Sequence, residues 1–158
     1  MRPLRIAVLA VLTPMLTLAA PSAAHAAPPV SASGSVTQTS FVVTGTRTVD
    51  GVTFFSFHET DSLTGTLSGD SAISGECIQR STGPILCQAH ETFAGTVLGR
   101  SGTIDFLDLI SIDQSTGAVQ GRFTIVGGAG ELSGIHGVGT FAAQGTTGTY
   151  SGRILLAP

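Results

Sequence analysis

Glycine residues recur at short intervals from Gly34 to Gly152 and divide the chain into runs rich in Thr, Val, Ile, Leu and Phe. None of these runs sustains the 3.6-residue period of an amphipathic helix. Short apolar runs separated by glycine turns at near-regular spacing are typical of β-sandwiches and β-barrels. The sequence therefore predicts an all-β domain.

Ten runs have the length and composition of strands. They cover 37–44, 52–60, 62–67, 72–79, 85–93, 95–98, 103–112, 118–126, 137–143 and 148–155, and some neighbouring runs are expected to merge. Side chains alternate between two faces along a strand. In the fifth run one face carries Ile85, Cys87, Ala89 and Phe93 together with Glu91, so we expect this carboxylate on a mostly apolar surface.

Residues 1–26 have the features of a signal peptide, with Arg2 and Arg5 before an apolar run over 6–20 and small residues up to Ala26. Cleavage after Ala26 is expected. A retained membrane anchor fits less well, because the run is shorter than the ~20 residues that span a bilayer and prolines interrupt it. We therefore expect a secreted protein with no stable membrane insertion.

The rest of the chain is predicted to comprise a flexible, Pro-rich lead-in over 27–36 and a single domain over 37–158. All ten carboxylates but only five of the seven basic residues lie in this part, so its formal charge is near −5. Nucleic acid is not an expected partner, because no basic stripe is present. The chain has no lysine, which excludes lysine Schiff-base chemistry.

The only two cysteines, Cys77 and Cys87, flank a turn signal at 81–84. A hairpin that turns there brings the two residues opposite each other. An exported chain meets an oxidising compartment, so the sequence predicts a disulfide across this hairpin. A redox pair is a weaker interpretation, since the spacing is not C-x-x-C.

Residues 58–69 resemble residues 90–99. Each segment starts with His-Glu-Thr, continues to Gly-Thr and ends in glycine, which places Glu59 opposite Glu91 in the alignment. The repeat predicts two related strand-turn-strand units of one sheet, since two copies are too few for a solenoid.

Two longer motifs are more specific. Residues 91–103 hold a glutamate followed by Gly95 and the sequence Gly-Arg-Ser-Gly, and residues 127–141 read GGAGELSGIHGVGTF. With Tyr150 near the end of the chain, they resemble bacterial proteins of the DUF3224 type, which are grouped with the allene oxide cyclase-like barrels. The resemblance covers 41–156 and implies an antiparallel eight-stranded β-barrel with a central cavity, related to lipocalin architecture.

The same resemblance suggests candidate site residues. In allene oxide cyclase-like enzymes a buried glutamate and a shaped apolar cavity steer cyclisation without a cofactor, which makes Glu91 the candidate catalytic residue. The candidate ligand-binding or cavity residues are Glu59, Phe55, Phe57, Phe93, Arg100 and Tyr150. In the alternative interpretation Glu91 pairs with Arg100 or Arg122, or faces water, and only stabilises the barrel.

Other chemistries find little support, and no metal or cofactor is expected. His58 and Glu59 fall on opposite faces of a strand, and no His/Glu pair has a recognised metal-binding spacing. Gly128, Gly130 and Gly134 do not form a nucleotide-binding loop and are predicted to turn a barrel corner. A G-x-S-x-G nucleophile motif is missing from the sequence.

Three functions are compatible with these features. The first is a secreted barrel that binds a small apolar molecule, which requires a cavity above the ~300 Å³ typical of ligand sites. The second is a cofactor-independent cyclase or isomerase that uses a buried glutamate. The third is an extracellular structural protein with a packed interior.

Overall fold

The computed structural model describes residues 28–156, which form one closed antiparallel barrel. Its eight strands are β1 (Val30–Val49), β2 (Val52–Gly65), β3 (Leu67–Gln79), β4 (Ile85–Val97), β5 (Arg100–Ile112), β6 (Val119–Gly130), β7 (His136–Gln144) and β8 (Thr147–Leu155). Each strand pairs with its neighbours along the chain, and β1 closes the ring against β8. The predicted eight-stranded antiparallel barrel is confirmed. The predicted signal peptide lies outside the described residues.

The strands are fewer and longer than the ten predicted runs. The predicted breaks at Asp61 and Ala94 do not occur, because both residues are paired within β2 and β4 on either side. The predicted lead-in is also too long, since β1 already pairs with β8 from Val30 onward. In these places backbone pairing around the ring overrides the local composition. No helix among residues 28–156 has the length and apolarity needed to cross a membrane.

The loop between β6 and β7 seals one end of the barrel, which we call the closed end. Leu132 and Ile135 of this loop are fully buried and pack with Phe93 and Ile104 in the larger hydrophobic cluster. The loop can approach only because position 128 is glycine: a Cβ there would collide with the Leu132 carbonyl oxygen and the Ile135 side chain. The segment predicted to turn a barrel corner therefore fills the end of the barrel with Leu132 and Ile135, and we call it the plug.

Aromatic rings fill the inner wall where the facing strands carry glycine. The ring of Phe123 lies over Gly139 and Gly152, and a Cβ at either glycine would overlap it. Eight-stranded barrels have an interior just wide enough for side chains, so large rings need small residues opposite. Phe123 also meets Phe106 edge-to-face at 5.7 Å between centroids.

Near the opposite end, Cys77 of β3 and Cys87 of β4 stand directly opposite in register and form a disulfide. The predicted cross-link across the hairpin is confirmed. The bond packs with Phe57, Ile73 and Ala89 in a second, smaller hydrophobic cluster. The larger hydrophobic cluster, which contains Leu132 and Ile135, is called the closed-end cluster below. The candidate site lies in the layer between these two clusters.

The barrel is open at the end of the disulfide, beside the β7–β8 turn. Strand β8 starts at Thr147, so β1 keeps its β8 partner only up to Thr37 and continues to Val49 paired with β2. Phe41 lies just above this point, 47% exposed, with its ring stacked on Phe57 at 5.4 Å between centroids. This gap in the wall is the mouth of the interior.

Candidate functional site

The barrel encloses a cavity of about 200 Å³ that reaches from its middle layer to the mouth. Six phenylalanines line it: Phe41, Phe55, Phe57, Phe106, Phe123 and Phe141. The volume lies below the ~300 Å³ expected of a drug-sized ligand site. An engineered cavity of about 150 Å³ nevertheless binds benzene, so this one has room for a single ring with a short arm.

Four carboxylates, Glu59, Asp61, Glu91 and Asp108, share this cavity with the rings. Glu59 of β2 and Glu91 of β4 both stand opposite Ile73 of β3, so they flank it in one row of the sheet. The repeat therefore places its two glutamates at the same level of the barrel, with Ile73 between them. Asp61 follows on the inward face of β2, and Asp108 belongs to β5.

Two neutral side chains donate hydrogen bonds to the glutamates. The Ser71 hydroxyl donates to Oε1 of Glu91, and Nε2 of Gln38 donates to Oε1 of Glu59 at 2.7 Å. The carboxyl groups also bond to each other, Asp108 with Glu91 and Asp61 with Glu59. A carboxyl-carboxylate bond requires a proton on one partner, so the cluster holds protons.

Burial sets the protonation of the cluster. It raises the pKa of Asp108 to about 8, with further contributions from the charge of Glu91 and from the hydrogen bond to it. It raises the pKa of Asp61 to about 7, again with help from Glu59 and Glu91. Burial also raises the pKa of Glu91, outweighing the hydrogen bonds from Ser71 and Asp108 that lower it. At neutral pH Asp108 is therefore mostly protonated and Asp61 about half protonated, so both carboxyl groups can donate a proton.

The structure brings most of the predicted site residues together. Glu91, Glu59, Phe55, Phe57 and Tyr150 all line the cavity. Phe93 does not: it is fully buried among the side chains of the closed-end cluster. Arg100 does not either, because it starts β5 at the β4–β5 turn, opposite Val97. Both departures follow from strand register, which sets how far along the barrel axis each residue lies.

Tyr150 closes the floor of the cavity. Its hydroxyl accepts a hydrogen bond from the Leu67 backbone N–H at 2.8 Å and lies 3.2 Å from the Thr64 carbonyl oxygen. Burial raises the pKa of this phenol, so it stays neutral. Because its hydroxyl is occupied by backbone, Tyr150 anchors β8 to the β2–β3 turn.

Four residues of the site are not among those predicted from the sequence: Asp61, Asp108, Ser71 and Gln38. The signal for Asp108 is present, since it interrupts an alternating apolar face formed by Ile104, Phe106, Ile110 and Ile112. Asp61 alternates with Glu59 in the same way. In the repeat it occupies the position that Phe93 fills in the second copy.

The three histidines within residues 28–156 do not line the cavity that holds this cluster. His58 and His90 are exposed and lie beside the inward glutamates in sequence, hence on the outer face. Across residues 28–156, the His, Cys, Asp and Glu side chains form no group of three or more that could hold a metal ion.

Comparison with known proteins places this barrel among others of the same type. A family model described as "Protein of unknown function (DUF3224)" matches residues 32–151. A crystal structure of a DUF3224 protein of unknown function from Shewanella oneidensis MR-1 superposes with a TM-score of 0.70. That protein is 18% identical, and the match covers 83% of this chain and 100% of the other, which supports the fold alone. A search of curated proteins gives no match.

Proposed function

The chain belongs to the DUF3224 family, whose function is unknown, and we propose from the geometry of its interior that it is an exported barrel that binds a small molecule in its central cavity. The observation that carries this proposal is the cavity of about 200 Å³, open at one end and lined by aromatic rings and carboxylates. A purely structural barrel gains stability from filling such a space, since voids forgo packing contacts.

The volume of the cavity limits the size of the ligand that it can hold. The cavity of about 200 Å³ is smaller than the ~300 Å³ that the sequence-based expectation of a small apolar ligand required, and it has room for a molecule with one ring and a short polar arm. Such a ligand can place its ring against Phe57 and Phe123 and its arm at the carboxylates.

Export is part of the proposal. It rests on the sequence of residues 1–26 and on the disulfide between Cys77 and Cys87. Disulfides persist in oxidising compartments such as the cell exterior and the periplasm.

Filling the cavity tests the binding function. Ala143 lines the cavity, and Ala142 beside it is exposed on the outer face of β7. Ala143→Leu should weaken the binding of 2-phenylethanol, a neutral ring-sized molecule, by at least about ten-fold, because its added carbons occupy the ligand volume. Ala142→Leu is the matched control and should leave the dissociation constant unchanged. Titration calorimetry measures both, and equal binding by the two variants would contradict the proposal.

A second function, cofactor-independent isomerisation or cyclisation, is favoured by the hydrogen bond between Glu91 and Asp108. It joins two carboxyl groups that can exchange a proton inside an apolar cavity, which is what general acid-base catalysis of a proton shift requires. The motif resemblance to allene oxide cyclase-like barrels agrees with this chemistry.

The test of the second function replaces Glu91. On a substrate found among bound ligands, Glu91→Gln should lower kcat by about 100-fold or more while the substrate still binds, because the amide cannot accept the proton. Glu76→Gln changes an exposed glutamate of β3 and serves as the control. Full activity of Glu91→Gln would exclude this role and leave the binding function untouched.

A further inference from the structure

The ionisable groups that line the cavity all have the same sign when charged. Glu59, Asp61, Glu91 and Asp108 face it, whereas none of the described arginines or histidines does. The sequence has no lysine at all. A buried carboxylate normally pairs with a cation, so the protein supplies the negative partner of an ion pair without the positive one.

Two buried oxygens in the cavity also have no hydrogen-bond donor. Oδ1 of Asp61 and Oδ1 of Asp108 are without a partner in the described structure, although these residues are only 9% and 2% exposed. Buried polar atoms are nearly always satisfied, because an unpaired one costs about 1 to 3 kcal/mol. Two neutral donors at the cluster, Ser71 and Gln38, are bonded to the two glutamates and not to these oxygens. The cavity therefore lacks donors at its aspartates.

The rings around the carboxylates suit the same kind of ligand. A cation is attracted to the face of an aromatic ring, most strongly where water is excluded. Phe123 stands directly opposite Asp108 in register, and Phe57 belongs to the same row on the other side, beyond Ala89 and Gly75. An ammonium group at the aspartates thus meets both carboxylate oxygens and aromatic surface.

We infer that the natural ligand is a small organic cation, a primary amine on a body about the size of one ring, whose ammonium group donates to Asp61 and Asp108. This inference rests on the proposed binding function and names its ligand class. A primary ammonium carries three donors, enough for both unpartnered oxygens and one more acceptor. An organic cation fits better than a metal ion, because no three His, Cys, Asp or Glu side chains of residues 28–156 form a group that could hold a metal.

Binding of such a cation must release protons. The groups that face the ammonium are the carboxyls of Glu59, Asp61, Glu91 and Asp108, and burial raises the pKa of Asp61 and Asp108 to about 7 and about 8. The cation favours their charged forms, so they lose protons as it binds. Affinity should therefore rise with pH between about 6 and 8.5.

Three ligands of one shape test the inference on the full chain: 2-phenylethylamine, 2-phenylethanol and phenylacetate. At about pH 8 we expect the amine to bind at least ten-fold tighter than the alcohol, and the acid to bind most weakly. The preference for the amine should fall at least five-fold between about pH 8 and pH 6 as the aspartates take up protons. Calorimetry in two buffers of different ionisation enthalpy should show proton release for the amine only.

Substitution of the aspartates provides the structural control. Asp61→Asn with Asp108→Asn keeps volume and polarity but removes the charge, and it should abolish the preference for the amine while the alcohol still binds. Asp105→Asn alters an exposed aspartate of β5 and should retain the preference.

The outcomes separate the two proposals. An alcohol that binds as tightly as the amine overturns the cation inference and leaves the binding function standing. Absence of binding by all three ligands overturns both. If calcium or zinc displaces the amine at a concentration below that of the amine, the site belongs to a metal ion, and this result also overturns the inference.

Discussion

The free energy of unfolding of Asp108→Asn, relative to that of the parent chain, is expected to rise by roughly 2 to 4 kcal/mol between about pH 5 and about pH 8.5. In the parent, Asp108 is almost completely buried and bonded to Glu91, and its pKa is raised to about 8. The unfolded chain releases the same proton near pH 4. Asparagine fills the same space, can donate to Glu91 and never ionises.

The difference rises with pH because the folded and unfolded parent chains bind different numbers of protons. Between about pH 4 and pH 8 the folded parent holds a proton at Asp108 that the unfolded chain has lost, so its stability falls as pH rises. The contribution is complete below pH 4 and is lost by about pH 8. Asp61 adds a slope of the same sign up to about pH 7, which the variant retains. Asp113 acts outside this window, since hydrogen bonds from Ser115 lower its pKa to about 2.

Urea unfolding of parent and variant at several pH values between about 5 and 9 measures this difference. Asp105→Asn, on the outer face of the same strand, should follow the parent curve. Parallel curves for parent and Asp108→Asn would show that the carboxyl titrates alike in both states, and would contradict a buried, protonated Asp108.

Leu132→Ala is expected to lower the free energy of unfolding by about 2 to 5 kcal/mol. Leu132 is fully buried in the plug between β6 and β7, where it packs with Ile135 and the closed-end cluster. The surrounding loop is held by Glu131, whose carboxylate accepts from the Ser101 backbone N–H at 2.8 Å. Because this bond fixes the loop, the loop cannot collapse into the space left by the leucine side chain. Most of the free-energy cost of that space therefore remains.

The matched control is Leu98→Ala, at an exposed leucine in the β4–β5 turn, which should change stability by less than about 0.5 kcal/mol. The plug lies at the opposite end from the mouth, so binding of 2-phenylethanol should persist in folded Leu132→Ala. An equal loss of stability in both variants would contradict the role of Leu132 as the seal.

The all-β class, the disulfide and part of the interior follow from the residues themselves, whereas the eight-stranded barrel follows from the motif resemblance. Cys77 and Cys87 lie symmetrically about a turn signal, and a hairpin that turns at its midpoint pairs them. Alternation along β4 places Glu91 on an apolar face, and the repeat then indicates Glu59. These inferences succeed because they use local periodicity, which a strand preserves.

The remaining site residues depend on the stagger of strands around the ring. Phe93 alternates with Glu91, yet it lies one level lower, in the packed cluster rather than at the cavity. Asp108 meets Glu91 across β4 and β5 only because the register sets Glu91 against Phe106. Cavity volume is also invisible in sequence, since it depends on which glycines face which rings, as Gly139 and Gly152 face Phe123.

The plug of Leu132 and Ile135 closes one end of the barrel, and the cavity opens at the other end, beside Phe41 and the β7–β8 turn. A cavity that is closed at one end and has room for a single ring does not let one molecule pass another. A bound molecule must leave before the next can enter, so the exchange rate is set by departure of the occupant and not by the concentration of its competitor.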